Sequence, residues 1–150
     1  MKKFRSNQVE DTQALAKAIA ALAYPGLVIT LTGDLGAGKT TFTQGFARAA
    51  GVKRRVKSPT FNIMSQYEGS NWPLYHFDAY RLENTGAQDQ GFEDFLGTDG
   101  VALVEWPQYM ADILPNDRLI LDFKRLDGDD QREITVTGQG RAEKIEQALS

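Results

Sequence analysis

Gly33-Asp34-Leu35-Gly36-Ala37-Gly38-Lys39-Thr40 decides the reading of this 150-residue chain. The octapeptide fulfils G-x-x-x-x-G-K-[ST], a loop whose glycines let successive backbone N–H groups converge on phosphate oxygens. Its surroundings agree with that reading. Leu27-Val28-Ile29-Thr30-Leu31, just before it, is short, apolar and rich in β-branched residues, as buried strands are. Residues 39–50, just after it, have helical spacing, with Phe42, Phe46 and Ala49 on one face and Gly51 as the stop. A helix N-terminus there adds unpaired N–H donors and a dipole that favours an anion. The Lys39 ammonium reaches β- and γ-phosphates, the Thr40 hydroxyl completes a magnesium octahedron, and Thr41 serves the α-phosphate. Asp34, Leu35, Gly36, Ala37, Gly38, Lys39, Thr40 and Thr41 therefore form the candidate nucleotide-binding set. No N-K-x-D or T-K-x-D guanine signature occurs, which favours ATP over GTP.

Working outward, residues 12–22 read as a helix. Asp11 or Thr12 is its candidate N-cap, Leu15, Ala18, Ile19 and Leu22 its apolar stripe, and Pro25-Gly26 its end. On the other side, residues 61–67 and 74–80 alternate across a Glu68-Gly69-Ser70-Asn71 turn and predict a hairpin. Short helices are expected near residues 92–96 and 107–113, and a buried strand at Val101-Ala102-Leu103-Val104. A second hairpin spans Leu119 to Val136 across Asp127-Gly128-Asp129-Asp130, and a closing helix follows over residues 141–149. The expected fold class is α/β: a single-domain P-loop NTPase over residues 1–150, with a central sheet of parallel and antiparallel strands flanked by helices.

A phosphate loop of this kind needs an acid at the end of a neighbouring buried strand. Glu105 closes the 101–104 run and Asp78 closes Leu74-Tyr75-His76-Phe77. Either can hold Mg²⁺, directly or through water, or orient the attacking water. Thr60, in a Pro-stiffened loop, is a candidate γ-phosphate sensor of the switch type. Alternatively it is a loop threonine bonding its own backbone. His76 shares a strand face with Asp78 and is more often a structural hydrogen-bonder than a ligand at such a place. Trp106 and Tyr109 are candidates for flanking a nucleotide or for ordinary core.

Composition narrows the classes further. There is no cysteine, which removes disulfides, thiolate nucleophiles and cysteine metal sites, and a single histidine argues against zinc. No apolar run is long enough to span a membrane, so a cytoplasmic location is expected. The net charge of −3 hides an asymmetry. Residues 1–57 hold ten Lys/Arg against three Asp/Glu, and residues 58–150 hold seven against seventeen. The sharpest local contribution is Lys53-Arg54-Arg55-Val56-Lys57, either a loop that binds RNA or an acidic protein or a solvated one. From the residues alone, three readings stay open: an ATPase, a small nucleoside or metabolite kinase, and a nucleotide-gated binding module.

Four segments together resemble the TsaE family, the bacterial ATPases of tRNA threonylcarbamoyladenosine biosynthesis. They are the phosphate loop through Thr41, Ser58-Pro59-Thr60-Phe61, Tyr75-His76-Phe77-Asp78-Ala79-Tyr80-Arg81-Leu82 and Val104-Glu105-Trp106-Pro107-Gln108. The resemblance implies an ATP–Mg²⁺ site with Lys39 on the phosphates and Thr40 and Glu105 on the metal. It places Thr60 and Asp78 at the active site, Trp106 at the family's tryptophan position, and Gln108 and Arg132 near the nucleotide. It further implies action with the subunits TsaD and TsaB on adenosine 37 of tRNAs reading codons that start with A. In that setting tRNA is met indirectly or at the surface of the complex, and ATP turnover by the isolated subunit is weak.

Overall fold

Apolar runs at the centre and alternating runs at the flanks build one seven-stranded mixed sheet. The computed structural model describes residues 1–34, 37–57, 63–83 and 91–149. Its strands are β1 (Lys2–Ser6), β2 (Val28–Gly33), β3 (Met64–Glu68), β4 (Pro73–Asp78), β5 (Val101–Glu105), β6 (Arg118–Arg125) and β7 (Arg132–Gln139). Its helices are α1 (Val9–Leu22), α2 (Lys39–Ala49) and α3 (Glu143–Ala148). Short 3-10 turns occupy Ala79–Leu82, Phe92–Phe95, Pro107–Met110 and Gly140–Ala142.

The strand order is β1-β7-β6-β2-β5-β4-β3. β6, β2, β5 and β4 run parallel, while the β3–β4 and β6–β7 hairpins and the β1–β7 pair add antiparallel wings. β2 and β5 are buried on both faces over residues 28–31 and 101–105, as central parallel strands must be, and so are mostly apolar without alternation. β6 and β7 alternate, since one of their faces meets water.

Parity along the strands sorts the core into two layers. Ile29, Leu31, Leu103, Leu121 and Val136 point to one side, where they meet Leu15, Ala16 and Ile19 of α1, Phe42 and Phe46 of α2, and Ile145 of α3. Val28, Tyr75, Phe77, Ala102 and Val104 point to the other side, under Leu82, Leu96 and Met110. The α-helices and the Gly140–Ala142 turn thus cover one face, and the other three 3-10 turns cover the other. Phe42 stacks on Phe46 at 6.1 Å and meets Phe123 edge-on at 5.8 Å. Each such fully buried ring contributes about 1.5–3 kcal/mol through area alone.

Three local expectations change. β1 was not legible, because Lys2-Lys3-Phe4-Arg5-Ser6 has no β-branched residue and is extended through its pairing with β7. α1 begins earlier than Asp11 or Thr12. Its N-cap Gln8 is extended and caps nothing with its side chain. Asp11 instead accepts from the Asn7 N–H at 3.0 Å, and Thr12 is buried against the Ser6 hydroxyl at 2.7 Å. In α2, Ala49 is exposed and Ala50 is buried. The buried stripe turns toward Thr43, Ala47 and Ala50 because α2 is wedged between α1 and the sheet. Its end is a Schellman motif, with Val52 N–H on Ala47 O and Gly51 N–H on Arg48 O.

Candidate nucleotide site

The parallel strands deliver their C-terminal ends to one edge of the sheet. Leu31 and Asp78 are both register partners of Glu105, and Gly33 pairs with Phe123 of β6. A β-carbon on Gly33 would lie 2.4 Å from the Phe123 carbonyl oxygen, and φ there is +139°, so only glycine lets the chain leave β2 here. Gly38, at φ +104°, is the N-cap of α2. These two glycines turn the chain from strand to helix, and Lys39 is the first helical residue. Leu35 and Gly36, between them, lie outside the described residues, and so does the proposed sensor Thr60.

Lys39 is only 7% exposed, and its Nζ donates to the Gly33 carbonyl at 2.7 Å. Its ammonium also lies 4.8 Å from the centre of the Trp106 ring. Trp106 has φ 58° and ψ 51°, and it alone among the described non-glycine residues has positive φ. A bulky side chain in that region is strained by about 1–3 kcal/mol, a cost characteristic of functional sites. The conformation breaks β5 immediately after Glu105 and lays the indole across the site. Tyr80 packs against that indole at 5.1 Å and Tyr109 at 6.3 Å, an aromatic wall whose Trp106 and Tyr109 also pack, partly buried, against the second core layer.

The two acids sit differently. Glu105 is 7% exposed, and its Oε2 lies 2.8 Å from His76 Nε2. His76 follows the parity of Leu74 and Asp78, so β4 and β5 present His76, Asp78 and Glu105 on the helix-covered face. Asp78 is half-buried, and its Oδ1 accepts from the Tyr80 N–H at 3.2 Å, capping the 3-10 turn that follows.

A cleft of about 310 Å³ joins these groups. It is lined by Gly38, Lys39, Thr40, Thr41, Asp78, Glu105 and Trp106, together with Ser6, Gln8, Val9, Thr12, Asp130 and Arg132. The N-terminal turns of α1 and α2 both line it, which adds two sets of unpaired N–H donors to the Lys39 charge. Sequence reasoning missed Ser6, Gln8, Val9, Thr12 and Asp130, because β1 was not recognised and nothing local links it to the phosphate loop. Arg132 does line the cleft, with Nη1 on the Asp129 carbonyl at 2.8 Å. Gln108 is exposed and lines none of it. Asp34 is exposed at the end of β2, and Ala37 is fully buried beneath the turn. Lys53, Arg54, Arg55 and Lys57 are exposed beyond the far end of α2, about 16 Å along the helix from Lys39, and none lines the cleft.

Among the described residues no three His, Asp or Glu side chains gather as a metal cage. The cleft offers the oxygens of Thr40, Asp78 and Glu105, and those of Ser6, Gln8, Thr12, Thr41 and Asp130 are also in its lining. The Thr40 hydroxyl with the two strand-end carboxylates suits a small hard cation that arrives with polyphosphate ligands of its own. Away from the cleft, burial, a 2.9 Å hydrogen bond to Asp99 and that residue's charge push the Tyr75 hydroxyl up to about 12. This fastens β4 to the turn before β5.

The strand–glycine loop–helix unit, with acids at the ends of two neighbouring parallel strands, defines a P-loop α/β protein. Residues 6–134 match the family model of the threonylcarbamoyl adenosine biosynthesis protein TsaE. A tRNA threonylcarbamoyladenosine biosynthesis protein TsaE of Bacillus subtilis is 49% identical over 149 residues, 99% of this chain and 93% of the relative. That of Streptomyces coelicolor is 39% identical over 132 residues, 84% and 89% of the two chains. The crystal structure of Bacillus subtilis YdiB superimposes with a TM-score of 0.82 at 44% identity, covering 97% of this chain and 91% of that one. The chain belongs to the TsaE family.

Proposed function

We propose that this chain binds ATP with Mg²⁺ and hydrolyses it as the nucleotide-driven subunit of the system that forms threonylcarbamoyladenosine at position 37 of tRNAs reading codons that start with A. The observation that carries the reading is the convergence of Lys39, Thr40, Asp78 and Glu105 on one cleft, from α2 and from the ends of β4 and β5. Lys39 and the N–H groups of the glycine turn bind the phosphates. Thr40 and Glu105 are the residues that would hold Mg²⁺. Bound there, the ion would neutralise charge on the β- and γ-phosphate oxygens. Asp78, with one oxygen on its own turn, is suited to orient the attacking water. The Trp106 ring lies against the Lys39 ammonium and shields that side of the cleft.

The name shared by the relatives supports the pathway, in which the chain would act with other subunits, here TsaB and TsaD. Turnover by the chain alone is then slow, since a missing partner group can cost orders of magnitude. We place it in the cytoplasm as one domain. Among the described residues no helix is long and apolar enough to cross a membrane. ATP hydrolysis measured with and without the TsaB–TsaD pair tests the reading, with Lys39→Ala as control. Strong stimulation that Lys39→Ala abolishes is expected. ATP-dependent phosphorylation of a nucleoside or alcohol would replace this reading with a kinase. Tight ATP-dependent docking without turnover would replace it with a binding module.

A further inference from the structure

We propose that His76 is a positioning residue for Glu105, fixing which carboxylate oxygen faces the cleft. The inference rests on the reading of Glu105 as the metal-side acid and deepens it. An ionised carboxylate only accepts hydrogen bonds. With Glu105 ionised, as a metal-side acid must be, the imidazole nitrogen 2.8 Å from Oε2 carries the hydrogen, because two lone pairs facing each other at that distance repel. His76 Nε2–H donates and Oε2 is occupied. Oε1 is the oxygen left for the cleft that Glu105 lines.

The other ring nitrogen separates positioning from ordinary core structure. His76 is 2% exposed, and its Nδ1 is buried with no hydrogen-bond partner among the described residues. Buried polar atoms are rarely left that way. A histidine serving only the sheet would satisfy both nitrogens, or be replaced by an apolar residue like its register partner Leu103. Here burial of the ring serves a single bond, to Glu105. Neighbouring parity gives the bond its rigidity. Leu74, His76 and Asp78 alternate on β4 against Val101, Leu103 and Glu105 on β5, so the donor and the acceptor are each held by a central parallel strand. Groups that orient a metal-side ligand in this way typically change metal affinity or activity by 10–100-fold when removed.

The test is a Mg²⁺ titration of the full chain at saturating ATP, followed by tryptophan emission. Trp106 lines the cleft, and the only other tryptophan, Trp72, is buried under α2 against Phe46. Metal-free ATP affinity and thermal midpoint are measured alongside. His76→Phe is expected to raise the Mg²⁺ midpoint about 10–100-fold and leave metal-free ATP affinity unchanged. His76→Gln, whose amide nitrogen reaches the position of Nε2, restores most of the shift. His76→Asn, whose amide stops short, does not. The Gln/Asn contrast decides the matter even if the Phe variant fails to fold. An unmoved Mg²⁺ midpoint in a folded His76→Asn, or equal shifts in the Gln and Asn variants, would overturn the proposal. Glu105→Ala isolates the underlying reading. If it leaves the Mg²⁺ midpoint unmoved, Glu105 is not the metal-side acid. If it moves the midpoint while His76→Asn does not, only the positioning inference falls.

Discussion

β4 and β5 end side by side on carboxylates, Asp78 and Glu105, which are register partners on the same face of the sheet. Their surroundings nonetheless differ. Glu105 is buried, held from below by His76, and followed at once by a left-handed tryptophan that turns the chain away. Asp78 is half-exposed and caps the turn it begins. One acid is fixed by tertiary contacts across strands, the other by its own next two residues. The difference shows that a strand-end acid can be oriented either by a donor on a neighbouring strand at the matching parity or by the turn that follows it.

Turnover is where the two acids should separate most. With partners present and Mg²⁺ saturating, Glu105→Gln is expected to lower ATP turnover about 10²–10³-fold. Asp78→Asn, acting through water, should lower it about 10-fold in the same assay. Equal losses would erase the distinction. A smaller effect belongs to the wall beside them. Trp106→Ala removes the ring from Lys39 and is expected to weaken ATP binding by about 0.5–2 kcal/mol, with Trp106→Phe keeping most of it; calorimetric titration reads both.

Stability reads the cap at Asp78 directly. Asp78→Ala loses the cap on the Tyr80 N–H and should cost about 0.5–1 kcal/mol in urea unfolding, whereas Asp78→Asn keeps an acceptor and costs little. The smallest effect is expected at a third acid far from the cleft. Glu146 accepts from the Met1 ammonium at 2.6 Å and from the Gly138 N–H at 2.8 Å, and these hold its carboxyl below the ordinary range. A lowered folded-state value means the contribution is present above about pH 4.3, the unfolded value, and is lost as pH falls through the folded one. Glu146→Gln should therefore be less stable by no more than about 1 kcal/mol at pH 7, with the gap closing in acid and ATP turnover unaffected.

Much of this arrangement was legible in the chain itself. The glycine loop, the apolar β2 and β5 runs and both hairpins are local patterns, and each acid could be placed at a strand end from the run preceding it. What was illegible depends on register between strands distant in sequence. The His76–Glu105 bond joins residues 29 apart, and nothing near His76 announces it. Likewise β1 is extended because β7 is there to pair with it. That pairing brings Ser6 and the start of α1 to the phosphate loop, so one unread strand concealed a whole wall of the cleft. The Ala49 error is of the same kind, since helical spacing gives a stripe but not how far two packing partners rotate it.

The outermost strands carry a consequence for association. β1 and β3 form the two borders of the sheet, and a border strand offers unpaired backbone to any strand that meets it. β1 is rich in cations, and Lys2 reaches back to the carbonyls of Gln147 and Leu149. Beside β3, Arg54 lies over the Tyr67 ring at 4.7 Å and donates to the Gln66 carbonyl at 2.8 Å. Cations beside a sheet border oppose edge-to-edge pairing, and part of the positive charge concentrated in residues 1–57 stands at these two borders. Deleting β1 would strip its cations, bare the flank of β7 and leave an adhesive template where a closed border stood.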